Sequence, residues 1–151
     1  GAPDLYLGGA LNPGSSDVEV ELQKMEKKIE SGCQFFQTQA IYDLDSFEKF
    51  MKRAGSFQLP VLAGIIPLKS AKMANFLNKI PGIHVPDALI HRIDEAKDKE
   101  QAASEIAAGL VRGARDLCAG VHLMTLGWFH LIGPILELAG VAAQKGRKVA
   151  S

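Results

Sequence analysis

Short, unbroken apolar runs alternate along the chain with longer stretches whose apolar residues recur every three or four positions. The first run covers residues 5–11 and stops at Asn12-Pro13-Gly14. Behind it Val18, Leu22, Met25 and Ile29 share one helical face, which predicts a helix over 17–31 with Gly32 placed at its C-terminal cap. A second run, 35–42, precedes Asp45-Ser46-Phe47-Glu48, whose spacing predicts a helix capped by Asp45 with Glu48 at N3. Phe47, Phe50, Met51 and Ala54 form the stripe of that helix. The third run, 60–67, carries no charge, and a strand apolar on both sides belongs in a covered parallel sheet or a barrel wall.

Ser70 then caps a helix with Met73, Phe76 and Leu77 on its apolar side. The extended piece Ile83-His84-Val85-Pro86 leads to a helix bearing Leu89, Ile90 and Ile93, and the polar residues 97–100 read as a solvated break. Ala103, Ile106, Ala107, Leu110, Ala114 and Leu117 mark a long helix. A fourth run, 121–126, lies between Gly120 and Gly127, and a last helix is expected over 129–139. The pattern is β-α four times, with an extra helix before the fourth strand. It predicts an α/β fold with parallel strands and right-handed crossovers. Two architectures fit: half of a (β/α)8 TIM barrel, or a flavodoxin-like open sheet, which suits a chain of about 150 residues.

Composition narrows the class of partner. The 151 residues carry 17 basic and 17 acidic side chains, so neither nucleic acid nor an acidic membrane surface is an expected partner. No apolar run approaches the ~18–20 residues of a membrane span. Residues 1–4 lack the basic and apolar regions of a signal peptide, and Cys33 and Cys118 stand far apart, as reduced thiols of a cytoplasmic protein would. His84, His91, His122 and His130 have no metal-ligand spacing.

Both architectures place function at the carboxyl ends of the strands. Gln37, Thr38 and Gln39 set three polar side chains in an otherwise apolar run, with Gln37 and Gln39 on one face. A buried amide without partners costs on the order of 1–3 kcal/mol, so Gln39 is either tied to backbone at the strand end or meets a planar heterocycle. On the first helix Glu21, Lys24 and Lys28 fall within an arc of roughly 60°, with Lys27 further round. They dress a solvated face or reach a phosphate or ribose over the rim. The turn at Asn12 offers backbone N–H groups to an anion. Asp43 and Asp45 are the strand-end carboxylates, Asp45 being assigned to the cap. No nucleophile–base arrangement is evident.

In order, Gly32 to Asp43 with its Thr-Gln pair, Gly64-Ile65-Ile66-Pro67, Val85-Pro86, and residues 120–127 resemble methylenetetrahydrofolate reductase over residues 5–140. The likeness is closest to the branch found in acetogenic bacteria. It implies a (β/α)8 barrel that reduces methylene-tetrahydrofolate with FAD, residues 1–142 being its C-terminal half and 143–151 a polar basic tail. By the same resemblance Gln39 contacts the folate, and Asn12, Glu21, Lys24, Lys27 and Lys28 approach the FAD. Ala71 and Met124 stand where members carry a phenylalanine and a tyrosine. His122 matches a strand-eight histidine, read as a barrel-interior residue. No catalytic residue is expected in this chain, because the family's catalytic glutamate belongs to the first strand. The implied partners are the folate substrate and either a missing N-terminal half or a further subunit in a homo- or hetero-oligomer. A non-catalytic half-barrel that pairs with another chain or with itself is the competing expectation.

Overall fold

The computed structural model describes residues 4–141. Its four strands are β1 (Gly8–Leu11), β2 (Phe35–Ala40), β3 (Val61–Ile65) and β4 (Gly120–Leu123). Six helices accompany them: α1 (Val18–Glu30), α2 (Leu44–Ala54), α3 (Ala71–Leu77), α4 (Asp87–Glu95), α5 (Lys99–Ala114) and α6 (Ile132–Leu138). All strand pairs are parallel and the sheet order is β1-β2-β3-β4. A flavodoxin-like sheet reverses direction partway, in the order 2-1-3-4-5, so that helices cover both faces. Here every crossover steps the same way. Right-handed crossovers of one direction put all helices on one face and leave the other bare.

Side-chain burial follows that rule. Along β2, Phe36, Thr38 and Ala40 point under the helices and are buried, while Phe35, Gln37 and Gln39 alternate onto the bare face. Under the helices lie two apolar clusters. Leu11, Met25, Phe36, Phe50 and Val61 hold α1 and α2 against β1–β3. A larger cluster built on Ile65, Leu68, Ile93, Ile106 and Ile135 seats α3 to α6. The alanine-rich inner face of α5, with Ala103, Ala107 and Ala114 fully buried, lets that helix approach the sheet closely.

Local signals account for most helix boundaries. Asp17 caps α1 by accepting from Val20 N–H at 3.0 Å, and Ser70 caps α3 by accepting from Met73 N–H at 3.1 Å. Three expectations are corrected. The cap of α2 is Asp43, which accepts from the N–H groups of Asp45 and Ser46 at 3.1 Å, so the helix starts before Asp45. Phe76 lies on the outer side of α3 and is 62% exposed. Between β3 and β4 there are two added helices, and the 97–100 break narrows to Lys97 and Asp98, because Lys99 and Glu100 open α5 with Asp98 as its cap. The last helix opens with a 3₁₀ turn over Phe129–Leu131 before α6. The basic tail lies outside the described residues. No described helix is long and apolar enough to cross a membrane.

Candidate functional site

Gln39 is exposed on the bare face, and a local irregularity in the sheet presents it there. The β2–β3 register slips between Gln37 and Ala40, with three steps on β2 matched by two on β3. Such an extra residue re-aims side chains where it occurs. The Thr38 hydroxyl takes up the slack, accepting from Gly64 N–H at 2.9 Å and donating to the Gln39 carbonyl at 2.7 Å. The ladder then resumes with Ile41 N–H donating to Gly64 O at 2.9 Å. Glycine is required at 64: a Cβ there would lie 2.5 Å from the Thr38 carbonyl oxygen and 2.9 Å from Met124 Cε. A hollow of about 670 Å³ opens on this face, lined by Ala10, Gln37, Gln39, Ile66 and Met124 among others.

Across the same face the Gln37 amide meets the imidazole of His122, Nε2 to Nδ1, at 2.5 Å. At the far end Tyr6 stacks on Phe35 with ring centroids 5.3 Å apart. At the carboxyl rim, Lys69 donates to the Leu126 carbonyl at 2.6 Å and lies 4.9 Å from the Trp128 ring centroid. The indole therefore packs at the rim with a cation over its face.

The second group lies along β1, an edge strand. Glu21 is buried, with one carboxylate oxygen accepting from Asn12 N–H at 2.8 Å and the other 3.5 Å from Lys24 Nζ. Lys28 donates to the Ala10 carbonyl at 2.5 Å, and Lys27 is exposed beside it over Gly8 and Gly9. The Asn12 side chain is pressed against Gly82, in the loop after α3. A Cβ on Gly82 would fall 2.0 Å from Asn12 Oδ1. Asn12 Nδ2 lies 3.4 Å from Pro81 O, while Oδ1 is buried without a hydrogen-bond partner. Asn12, Glu21, Lys24 and Lys28 thus converge on one edge, Lys27 borders it, and Gln39 stands apart on the bare face.

The methylenetetrahydrofolate reductase family model matches residues 5–140. The chain belongs to that family. It is similar to methylenetetrahydrofolate reductase 2 of Saccharomyces cerevisiae, 30% identical over 64% of this chain and 16% of that protein. The protein of the same name from Schizosaccharomyces pombe is 24% identical over 99% of this chain and 25% of its own length. For 5,10-methylenetetrahydrofolate reductase of Escherichia coli the identity is 21%, over 87% of this chain and 47% of that protein. The chain therefore spans between about a sixth and about half the length of these curated relatives.

The residues along the β1 edge suit an anionic group in chemistry. Lys24, Lys27 and Lys28 bring three ammonium groups to one rim, Lys24 beside Glu21 and Lys28 on the Ala10 carbonyl, where they favour an anion. Asn12 Oδ1 is an acceptor lacking a donor. Both Glu21 oxygens are engaged within the chain, which makes that carboxylate a tie between the β1 loop and α1. Among the described residues no cluster of three or more His, Cys, Asp or Glu could hold a metal ion. Periodicity did not single out the roles of Thr38, Gly64 and the Gln37–His122 pair. Their signal was the polar run 37–39 inside an apolar strand.

Proposed function

We propose that this chain forms the C-terminal four βα units of a (β/α)8 barrel that reduces 5,10-methylenetetrahydrofolate to 5-methyltetrahydrofolate. The observation that carries the reading is a singly wound parallel sheet whose bare face holds Gln37, Gln39 and His122. A barrel interior is the environment in which one face of such a sheet is covered without helices. The Gln39 amide, free of partners among the described side chains, donates to and accepts from the pterin edge. Lys24, Lys27 and Lys28 hold the diphosphate of FAD, and Glu21 fixes the loop that carries Asn12. FAD supplies the hydride chemistry when bound. The proton for the substrate nitrogen comes from an acid outside this chain, because the described bare face carries no carboxylic acid and its imidazole, His122, is tied to Gln37.

The chain's free edges, β1 and β4, require partner strands for the barrel to close. An N-terminal half, covalently joined or separate, is the partner this reading calls for. A second copy of the chain is the competing occupant. The test is co-purification with the N-terminal half of a family member, followed by flavin absorbance and methyltetrahydrofolate oxidation. A yellow, active complex that loses activity at least tenfold in Gln39→Ala is expected. A colourless complex in excess FAD, or unchanged activity in that variant, defeats the proposal.

A further inference from the structure

Two polar side chains on the bare face, Gln37 and His122, are paired with each other across an intervening strand. Gln37 lies on β2 and His122 on β4, with β3 between them, a span of about 9.5 Å from strand to strand. Gly64 stands opposite His122 in the β3–β4 register and opposite Ala40 in the β2–β3 register, so β3 puts no side chain of its own there and the Met124 methyl overhangs the gap. The Gln37 amide donates through Nε2 to His122 Nδ1. A neutral imidazole whose Nδ1 accepts carries its proton on Nε2. That Nε2 is neither buried nor hydrogen-bonded among the described residues. His122 lies on the β4 side of Gly64 and Gln39 lines the hollow on the β2 side, with the flexible Met124 side chain between them.

We propose that His122 is a second substrate-facing group, a hydrogen-bond donor through Nε2–H, and that Gln37 is the positioning residue that sets its tautomer. The inference deepens the reading of the bare face as a folate site and rests on it. The two groups are complementary in kind. The Gln39 amide both donates and accepts, whereas His122 in this tautomer presents a donor alone to the face. A pterin offers ring nitrogens and a carbonyl oxygen as acceptors, which suits a donor held opposite an amide. A glutamine that only filled space beside an imidazole would gain nothing over leucine on a half-buried barrel face. As a tautomer lock it accounts for both polar residues.

The experiment is nitrogen-15 NMR of the full chain, labelled at histidine and glutamine and paired with the N-terminal half of a family member, at a pH of about 9, where an ordinary imidazole is neutral. His122 is expected as the Nε2–H tautomer. Gln37→Leu should leave it exchanging between tautomers. Gln37→Glu, equal in size but only an acceptor, should move the proton to Nδ1, a change that a packing role would not produce. On titration with 5-methyltetrahydrofolate, the His122 Nε2–H and Gln39 side-chain resonances should both shift. Gln37→Leu should weaken binding about two- to tenfold, the worth of one hydrogen bond. An Nδ1–H tautomer in the unaltered chain overturns the inference. So does a ligand response at Gln39 with none at His122, which leaves the folate reading standing. If neither resonance responds, the folate reading of this face fails and carries the inference with it, whatever tautomer is found.

Discussion

Thr38 serves two partners with one hydroxyl, and the presentation of Gln39 depends on it. Without that oxygen the buried Gly64 N–H has no acceptor in place. Thr38→Val, nearly equal in shape, should therefore cost about 1–3 kcal/mol in urea unfolding, whereas Thr38→Ser should recover most of the loss. A Thr38→Val variant as stable as the parent would mean that water or a shifted strand serves Gly64 instead. Gly64→Ala should be worse, since the nearest obstruction is backbone that cannot swing aside. The thiol of Cys118 illustrates the opposite kind of residue. Its single S–H is shared between Gly120 O at 3.1 Å and Ala114 O at 3.2 Å, and burial pushes its pKa up, so it should alkylate more slowly than free cysteine at neutral pH.

At the scale of the element, α2 has the most informative boundary. Both Asp43 and Asp45 could cap it by composition; Asp43 does so because its carboxylate reaches two backbone N–H groups and the Ser46 hydroxyl at 2.7 Å. The Ser46 hydroxyl, aided by those N–H groups, holds the Asp43 carboxyl below the usual range. A depressed folded-state pKa stabilises the native chain above the unfolded-state value and is lost as pH falls through the folded-state value. Asp43→Ala should cost about 1 kcal/mol at neutral pH. The difference from the parent should shrink below pH ~4, as read by thermal melts across that range. A difference independent of pH would show the cap to act through its shape and not its charge.

For the whole molecule, the decisive feature is the order of strands. Four strands wound in one direction leave a bare face and two open edges, and Leu5, Tyr6 and Leu7 are exposed beside β1. Lys28 on the Ala10 carbonyl is a charge of the kind that blunts an edge strand. The chain alone should bind a hydrophobic dye on its bare face and associate with rising concentration in sedimentation velocity. Both properties should vanish when the N-terminal half of a family member is added. A chain that stays monomeric and binds no dye would argue that its edges and bare face need no partner.

The α/β class, the parallel strands, the six described helices and the polar run 37–39 were legible in the sequence, because periodicity and capping are local. So was the family, since its short motifs keep their order. Strand order was not, because crossover direction leaves no mark in residue spacing; only the folded sheet separates a singly wound arrangement from a flavodoxin-like one. The roles of individual polar groups were equally hidden. Glu21 reads as one more surface acid in a helix of lysines, yet folding buries it against Asn12. Gln37 and His122 are 85 positions apart, and nothing local marks them as partners. Tertiary structure brought them to one face, where the absence of a side chain at Gly64 lets them meet.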